Sequence, residues 1–531
     1  MALTPRIPER SPAGAYWPTW PDAVLALLAG GLSFALYART LVPFVLPGDS
    51  GEFQVLAYEL GIAHTPGYPI YLLLAKLFTF LPIGDIAYRV NLFSALMAAV
   101  TVSGVYLAAR LLTGQRLAAV FGALALTVSF TFWSQAIIAE VYTSGAAWVA
   151  LIWLGLLAWY RAGTRRGLFL AGLCGGLGLG VHSTVALFAP SALLFLWLNR
   201  QRWPGPWRPA ILGAAAGVLL YLLAFLAVDL HAPPANIFEA TYRTARSDWG
   251  LSQDDLANPV QRLIFIGTAV QWRSAMFAGW DGLPSRLVGY VANLPREFAW
   301  PTILLVIAGL VMLSRREASL GWFFLTALLA DWVFAFTYRI GDIFVFYIPG
   351  YVLMALLAAY GAANGIGWLA RLSARGAPLA QAAALAAMLV FGIWPVLAPQ
   401  WWAVRAGAIP FQDIEGYPVD SQTADVARVA GRVVEHLPPN AVVFVDWYWL
   451  YPYYYAAHIE QGRWDLRFIE AAPRADRAGL PESALAFVGE NIATHPILFA
   501  RYWPELERAG YRLRAREIWF TRFYQAERAS P

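Results

Sequence analysis

Long apolar stretches constrain the fold of this chain more than any other feature of its sequence. A helix needs about 20 apolar residues to cross the hydrocarbon core of a membrane. The sequence offers eleven candidate spans, at 24–44, 90–109, 117–137, 142–160, 167–181, 184–198, 210–228, 299–314, 320–337, 344–363 and 380–398. The fifth and sixth are short and meet at His182, so they predict two thin helices or a hairpin that does not fully cross. We therefore predict an α-helical polytopic membrane protein.

Charged residues divide the chain into two parts. Hydrophobic residues make up 59% of the sequence and charged residues 13%, against roughly 45–50% and 25% in average soluble proteins. Yet residues 403–531 hold 30 of the 71 charged side chains. We therefore predict a cytoplasmic N-terminal segment at 1–21, a membrane domain at 22–402 with outer loops at 45–89 and 230–297, and a soluble domain at 403–531.

The distribution of arginine predicts how the spans are oriented. If the N-terminus is cytoplasmic, the cytoplasmic segments hold fourteen Arg and three acids. The Arg are Arg6, Arg10, Arg110, Arg116, Arg161, Arg165, Arg166, Arg200, Arg202, Arg208, Arg315, Arg316, Arg371 and Arg375, and the acids are Glu9, Asp22 and Glu317. This is the positive-inside bias of membrane proteins. It predicts a multi-pass protein of the inner or plasma membrane whose C-terminal domain is extracytoplasmic.

Residues 403–531 have the pattern of a small α/β domain. Strand-like segments at 441–446, 465–471 and 496–502 alternate with helical segments, which predicts parallel strands. The aromatic run WYWLYPYYY at 447–455 follows the first of them, at the edge where open α/β sheets place their ligand loops. These aromatic rings are suited to stacking on a sugar, to binding an acceptor, or to anchoring the domain at the membrane surface.

The first outer loop carries an unusual group of polar and turn-forming residues, LPGDSGEFQVLAYELGIAHTPGYP. Asp49 is placed to open a short amphipathic helix, and Glu52 three residues later completes the pattern of a capping box. An acid at a membrane boundary is also a candidate for catalysis. Both interpretations stay open for Asp49, whereas Glu59 is expected to be a solvated or interfacial acid.

Three segments of the chain resemble a known family. The stretch GDSGEFQVLAYELGIAHTPGYPIYLLLAKLFTFLPIGDIAYRVNLFSAL resembles the opening of a bacterial family catalogued as domain of unknown function 2723. Its animal relatives are similar to transmembrane protein 260, an O-mannosyltransferase. The resemblance continues through WSQAIIAEVYT at 133–143 and, loosely, through GDIFVFYIPGY at 341–351. It implies a GT-C glycosyltransferase, a polytopic enzyme that uses a polyprenyl- or dolichyl-phosphate sugar and an acid in its first outer loop.

Chemistry of this kind needs a single carboxylate. The departing lipid phosphate is stable as an anion, so one base that takes the proton of the attacking hydroxyl is enough, whereas inverting glycosidases need two carboxyl groups. We expect Asp49 to be this base, with Glu52 as the reserve candidate or a supporting partner. The resemblance implies inverting transfer of mannose or another hexose to an acceptor hydroxyl, such as a protein Ser or Thr.

Substrate-binding candidates are the polar residues assigned to the outer face. They are Glu140, His64, Tyr68, His182, Arg89, Arg243, Arg339 and Asp342. Structural alternatives remain open, because a helix-end acid can pair with the helix dipole, a histidine can pack in the interior, and an arginine can reach lipid headgroups instead of clamping a phosphate. No His/Asp cluster has convincing metal spacing. We expect no cofactor, although some GT-C enzymes use a divalent metal.

Expected partners are a polyprenyl-phosphate-linked sugar, an acceptor protein or glycan, and membrane lipids. Nucleic acid is excluded because the sequence has no basic stripe. Two other function classes stay open. A lipid-linked-sugar transporter or flippase would need polar groups near the membrane midplane, where Asp331 is the one acid well inside a predicted span. A non-catalytic assembly subunit would use its tail to bind a partner.

Overall fold

The computed structural model describes residues 16–203, 205–372, 377–405, 421–474, 476–477 and 479–529. The predictions for residues 1–15 and 406–420 therefore lie outside the described residues, as do Arg6, Glu9, Arg10 and Arg375. The described chain consists of a helical membrane part followed by a smaller domain built on a five-stranded sheet.

Each apolar stretch predicted to span the membrane is largely helical, although the stretch at 24–44 is helical only to Thr40 and the stretch at 117–137 is interrupted after Thr127. In chain order the α-helices of the membrane part are α1 Trp20–Thr40, α2 Gly48–Glu59, α3 Pro69–Thr79, α4 Ile86–Thr113, α5 Arg116–Thr127, α6 Phe130–Ala136, α7 Tyr142–Ala162, α8 Arg165–Gly178, α9 Ala189–Leu198, α10 Trp207–His231, α11 Pro259–Gly267, α12 Leu283–Glu297, α13 Trp300–Arg316, α14 Ala318–Thr337, α15 Ile348–Leu372, α16 Ala377–Met388 and α17 Trp394–Arg405. Short 3₁₀ segments lie at Ser183–Phe188, Arg246–Trp249, Asp254–Leu256 and Ile343–Tyr347, and π-helical segments at Phe238–Tyr242 and Leu389–Ile393.

Among the described residues, seven helices are long and apolar enough to cross a membrane. Two bent pairs, α5 with α6 and α12 with α13, would bring the number to nine. The 14 residues of α8 and the 10 of α9 extend about 21 Å and 15 Å at 1.5 Å per residue, less than the ~30 Å hydrocarbon core. The chain is therefore a multi-pass membrane protein, and the number of eleven spans stays a prediction.

Ion pairs connect charged residues at the termini of several helices on one side of the membrane part. Asp22 at the start of α1 accepts hydrogen bonds from Nε of Arg110 and Nε of Arg116, both at 3.0 Å. Arg161 at the end of α7 binds Glu317 before α14 at 2.7 Å. These residues belong to the set that the positive-inside pattern assigns to a single face, so their grouping agrees with the predicted alternation of the spans.

The C-terminal domain contains a mixed five-stranded sheet. Its strands are β1 Val442–Val445, β2 Arg467–Glu470, β3 Ile497–Phe499, β4 Tyr511–Ile518 and β5 Thr521–Arg528, in the order β2-β1-β3-β5-β4. Its helices are α18 Ser421–His436, α19 Trp447–Tyr454, α20 Glu482–Asn491 and α21 Pro504–Arg508, with a π-helical segment at Tyr455–Glu460. β1 pairs in parallel with β2 and β3, which confirms the predicted parallel strands.

The sequence did not predict the last two strands. β4 and β5 form an antiparallel hairpin, and β5 pairs with β3. β4 reads YRLRAREI and leaves most of its side chains exposed, so it lacks the buried apolar face that marks a strand in a sequence. Its turn, at Trp519 and Phe520, uses positive φ angles of 43° and 60° without a glycine, which removes the usual hairpin signal.

Helix α19 brings the C-terminal domain onto the first outer loop. It begins directly after β1 and packs against α2. Gly51 in α2 makes this close approach possible, because a Cβ atom there would lie 3.3 Å from Cβ of Tyr451 and 2.3 Å from the carbonyl oxygen of Leu46. The carboxyl ends of β1 and β2 consequently face the loop in which the sequence places the candidate base.

Candidate active site

A cavity of about 580 Å³ lies where the first outer loop, the segment after α14 and the C-terminal domain meet. Its volume falls in the range of small-molecule sites. Titratable or aromatic side chains that line it include Asp49, His64, Tyr68, Tyr142, His182, Tyr338, Arg339, Asp342, Trp447 and Glu470. Six of the residues predicted from the sequence are therefore brought together, and the C-terminal domain adds Trp447, Glu470, Ala472 and Pro473 to the lining.

Asp49 lies in the first turn of α2 with 17% of its side chain exposed. Its Oδ1 accepts a hydrogen bond of 2.8 Å from Nε1 of Trp447. Its Oδ2 lies 3.5 Å from Nε2 of His64. The hydrogen bond from Trp447 therefore places the Asp49 side chain at the wall of the cavity, beside His64.

Glu52 lies behind this wall and is fully buried. Its Oε1 accepts hydrogen bonds from the backbone N–H of His64 at 2.7 Å and from the hydroxyl of Tyr451 at 3.2 Å, and its Oε2 lies 2.5 Å from Nδ1 of His64. The predicted capping box is wrong, because Pro47 is the N-cap and Glu52 bonds His64 instead. The predicted amphipathic character is also wrong, because the C-terminal domain covers the second face of α2.

His64 connects the two acids. Burial lowers the pKa of His64, but the carboxylates of Asp49 and Glu52 outweigh burial and raise its pKa to about 9. Both ring nitrogens therefore carry a proton near neutral pH, with Nδ1 donating to Glu52 and Nε2 facing Asp49. The hydroxyl of Tyr68 lies 3.3 Å from Nε2. A buried imidazolium thus neutralises one of the two carboxylates and holds the other in place.

Two more acids line the cavity from other elements. Burial raises the pKa of Asp342 to about 7, and the charge of Asp49 adds to this effect. Burial likewise raises the pKa of Glu470 to about 8. Tyr142 donates to Oδ2 of Asp342 at 3.1 Å, and Thr241 donates to Oε2 of Glu470 at 3.0 Å. Near pH 7 both acids are wholly or partly protonated, which limits the negative charge that an anionic ligand would meet.

Arg339 supplies positive charge to the cavity lining. Its Nη2 lies 3.3 Å from Oδ2 of Asp281, and the two side chains are 47% and 96% exposed. An ion pair this exposed contributes about 0–1 kcal/mol. The guanidinium can therefore turn toward a stronger anion in the cavity. That Arg339 binds a phosphate stays a prediction.

Arg89 makes structural contacts in place of the predicted phosphate contact. Its guanidinium donates to the carbonyl oxygens of Thr79, Ile83 and Gly84 at 2.7–2.9 Å. These carbonyls lie at and just after the end of α3, where they have no partner within the helix. Arg89 is not among the residues that line the cavity.

Three other residues named from the sequence lie outside the cavity lining. Arg243 is exposed, pairs with Glu239 at 2.9 Å and does not line the cavity. Glu140 is buried beneath α2, where it accepts a hydrogen bond of 2.9 Å from Ser50. The expectation of a solvated Glu59 is wrong, because Glu59 is buried and its Oε1 lies 2.6 Å from Nδ1 of His458.

Trp447 and Glu470 were not among the site residues named from the sequence. Trp447 opens the aromatic run that follows β1, and Glu470 ends β2. The carboxyl end of a parallel strand is the signal that singled out the aromatic run containing Trp447, and it could also have identified Glu470. Within the described residues, no group of three or more His, Cys, Asp or Glu side chains is placed to hold a metal ion, and metal independence stays a prediction.

Comparison with known proteins gives matches of two kinds. Residues 49–204 match the family described as Protein O-mannosyl-transferase TMEM260 N-terminal domain. The Protein O-mannosyl-transferase TMEM260 of Mus musculus is 38% identical over 144 residues, which is 27% of this chain and 20% of the mouse protein. The Dictyostelium discoideum protein of the same description is 24% identical over 306 residues, covering 52% of this chain and 35% of that protein. The matches thus span about a fifth and a third of these relatives.

The fold as a whole resembles that of a solved membrane protein. The crystal structure of ArnT from Cupriavidus metallidurans bound to undecaprenyl phosphate superposes with a TM-score of 0.54 and 14% identity, covering 95% of this chain and 98% of that chain. The likeness extends over both the helical membrane part and the C-terminal domain. The family resemblance inferred from the first outer loop is therefore confirmed over residues 49–204, and the fold of the chain is like that of ArnT.

Proposed function

We propose that this chain is an inverting glycosyltransferase that moves a sugar from a polyprenyl-phosphate carrier to an acceptor hydroxyl. The observation that carries the proposal is the position of Asp49 at the cavity wall, with Oδ1 bound by Trp447 and Oδ2 beside His64. One carboxylate held in this way is what the reaction requires, because the leaving phosphate needs no general acid.

The reaction follows from this arrangement. The acceptor oxygen attacks the anomeric carbon from the face opposite the phosphate, and the new C–O bond forms as the C–O bond to the phosphate breaks. The hydroxyl proton passes to Asp49, and the polyprenyl phosphate departs with the bonding electron pair. His64 and Trp447 keep the carboxylate in place during the transfer, so little reorganisation is needed at the base.

The charges of the cavity suit an anionic donor. Arg339 provides a guanidinium that can bind two phosphate oxygens at once, while Asp342 and Glu470 are wholly or partly protonated near pH 7. The likeness to ArnT, solved with undecaprenyl phosphate, supports a lipid-phosphate donor. The descriptions of the mouse and Dictyostelium relatives support mannose as the sugar and a protein hydroxyl as the acceptor.

The transporter alternative finds little support in the position of Asp331. This acid is 2% exposed within α14 and lies against Gly350 of α15. It is not among the residues that line the cavity. A transport path needs polar groups that continue toward the membrane midplane, whereas the cavity combines the first outer loop with the C-terminal domain at one end of the helices.

The outer face of the cell membrane is the proposed location of the site. A periplasmic or extracellular reporter fused after residue 531 should be active, and a cytoplasmic reporter inserted after Arg315 should be active, because the positive-inside bias places them on opposite sides. Both activities would be measured in intact cells. The reverse pattern would place Asp49 in the cytoplasm and contradict the proposed location.

The function is tested by transfer of labelled mannose from polyprenyl-phosphate mannose to a Ser/Thr-containing peptide by the purified chain. We expect transfer by the wild-type chain, and donor binding about tenfold weaker in Arg339→Lys. Lysine keeps the charge but loses the fork that binds two phosphate oxygens, and a hydrogen bond to a charged group is worth about 1.5–3 kcal/mol.

Arg243→Lys is the matched control for this variant. Arg243 is an equally exposed arginine whose partner is Glu239 and which does not line the cavity. Its replacement should leave donor affinity within twofold of the wild type. Equal donor affinity in the two variants would show that Arg339 does not bind the phosphate.

A further inference from the structure

Helix α19 of the C-terminal domain places two aromatic donors on two acids of the first outer loop. Trp447 and Tyr451 lie one turn apart on one face of α19. They face Asp49 and Glu52, which lie one turn apart on α2. The indole N–H of Trp447 donates to Oδ1 of Asp49 at 2.8 Å, and the hydroxyl of Tyr451 donates to Oε1 of Glu52 at 3.2 Å.

The position of α19 is fixed by contacts on several sides. Asp446 accepts a hydrogen bond from the backbone N–H of Trp449 at 3.2 Å and so caps the helix. The hydroxyl of Tyr454 donates to the carbonyl oxygen of Phe468 at 2.7 Å and lies 3.0 Å from that of Pro234. Tyr455, just after the helix, accepts from the backbone N–H of Ala87 at 3.0 Å. Trp447 is therefore held by a rigid element rather than by a free loop.

We propose that Trp447 is a positioning residue for Asp49 and that the C-terminal domain is, through it, part of the catalytic apparatus. This inference rests on the proposed function. The indole N–H is a donor only, so it engages Oδ1 whenever Asp49 is ionised and leaves Oδ2 to receive the acceptor proton. The ring of Trp447 also stands edge-on to His64 at 5.9 Å and 89°, which confines the imidazole on the other side of the same carboxylate.

By covering the first outer loop, the C-terminal domain brings the indole of Trp447 to the carboxylate of Asp49. Asp49 has two equivalent oxygens, and the charge attraction of His64, 3.5 Å from Oδ2, does not fix the rotation of the carboxylate as a directed hydrogen bond does. A hydrogen bond from a fixed indole selects one orientation of the carboxylate and lowers the entropy lost on reaching the transition state. The base and the group that orients it are 398 positions apart in the chain, so the site is complete only when both parts are folded together.

Trp447→Phe is the variant that tests this role, because it keeps the aromatic volume and removes the N–H. We expect kcat to fall about tenfold to a hundredfold, the worth of a hydrogen bond to a charged group, with KM for both substrates within twofold. The acid limb of the pH–rate profile should move to higher pH, since a hydrogen bond to the charged form of an acid favours that form. If Trp447 only packed against its neighbours, its replacement would leave the acid limb of the pH–rate profile in place and would not lower kcat selectively while KM stays the same.

Trp449→Phe is the matched control. Trp449 lies on the same helix, stacks on Tyr453 at 5.4 Å and does not line the cavity. It should retain wild-type kcat and an unchanged pH profile. The proposal is overturned if Trp447→Phe has the kcat of Trp449→Phe, or if its loss lies entirely in KM.

A double-mutant cycle separates this inference from the proposed function. If Trp447 acts through Asp49, adding Trp447→Phe to Asp49→Asn should cause no further loss of kcat. If the double variant instead shows the product of the two single losses of kcat, Trp447 does not act through Asp49, and Asp49 remains the base. Wild-type turnover in Asp49→Asn alone would instead contradict the proposed function itself, so the two failures give different results.

Discussion

Replacement of Asp49 by Asn should lower kcat by about 10²–10⁴, the usual worth of a general base, while the chain stays folded. The amide has nearly the size of the carboxylate, and its oxygen can still accept the hydrogen bond from Trp447. It cannot take up the acceptor proton. His64 keeps its contact with the buried Glu52, so no buried charge loses its last partner. The measurement is single-turnover transfer from the lipid-phosphate sugar, with thermal unfolding as the check on folding.

Glu52→Gln is the comparison that assigns the base. Glu52 does not line the cavity and receives three hydrogen bonds from His64 and Tyr451. Its replacement should therefore reduce stability more than Asp49→Asn does and reduce kcat less. If Asp49→Asn keeps near-normal turnover while Glu52→Gln is folded but inactive, the base is Glu52, one helical turn further along α2. Full activity in both variants would remove the catalytic role of this loop.

The membrane part was predictable because its signals are local. Most spans are continuous apolar runs, although the predicted span at 117–137 is broken between α5 and α6, and the motif around Asp49 is long enough to reveal a family resemblance. The same locality explains the errors at Glu52 and Glu59. Both acids follow the pattern of an exposed helix when only α2 is considered, yet their partners Tyr451 and His458 lie 399 positions away. The spacing of residues within α2 cannot show that a domain 399 positions further along the chain covers this helix.

The arginines illustrate a second limit. Arg89, Arg243 and Arg339 are alike in sequence, since each lies in an outer segment near aromatic residues. The fold distinguishes them, because Arg89 is engaged by helix-end carbonyls, Arg243 by Glu239, and Arg339 alone of the three lines the cavity. An arginine binds whichever acceptors the folded chain leaves open, and those acceptors are set by tertiary structure.

His458→Phe should destabilise the chain by about 1–3 kcal/mol, the cost of leaving a buried hydrogen-bonding group without its partner. Nδ1 of His458 lies 2.6 Å from Oε1 of Glu59, and the two side chains are 0% and 2% exposed. Phenylalanine can keep the stacking on Trp464 at 4.4 Å, so the loss is confined to the polar contacts of the ring, with Glu59 and with the carbonyl oxygen of Leu466 at 3.3 Å. Oε2 of Glu59 has no hydrogen-bond partner among the described residues, so the variant also takes away the hydrogen-bond partner of Oε1. Denaturant titration in detergent would measure the change.

Two further variants show whether this pair joins the C-terminal domain to the first outer loop. Glu59→Leu combined with His458→Phe should recover most of the lost stability, because replacing both partners of a buried pair by apolar groups is often neutral. Asp425→Ala removes an exposed ion pair with Arg428 and should cost less than about 1 kcal/mol. If His458→Phe is no more destabilising than Asp425→Ala, the pair does not hold the two parts together. If the double variant is as unstable as His458→Phe, the cost arises from packing around His458 and not from the buried carboxylate.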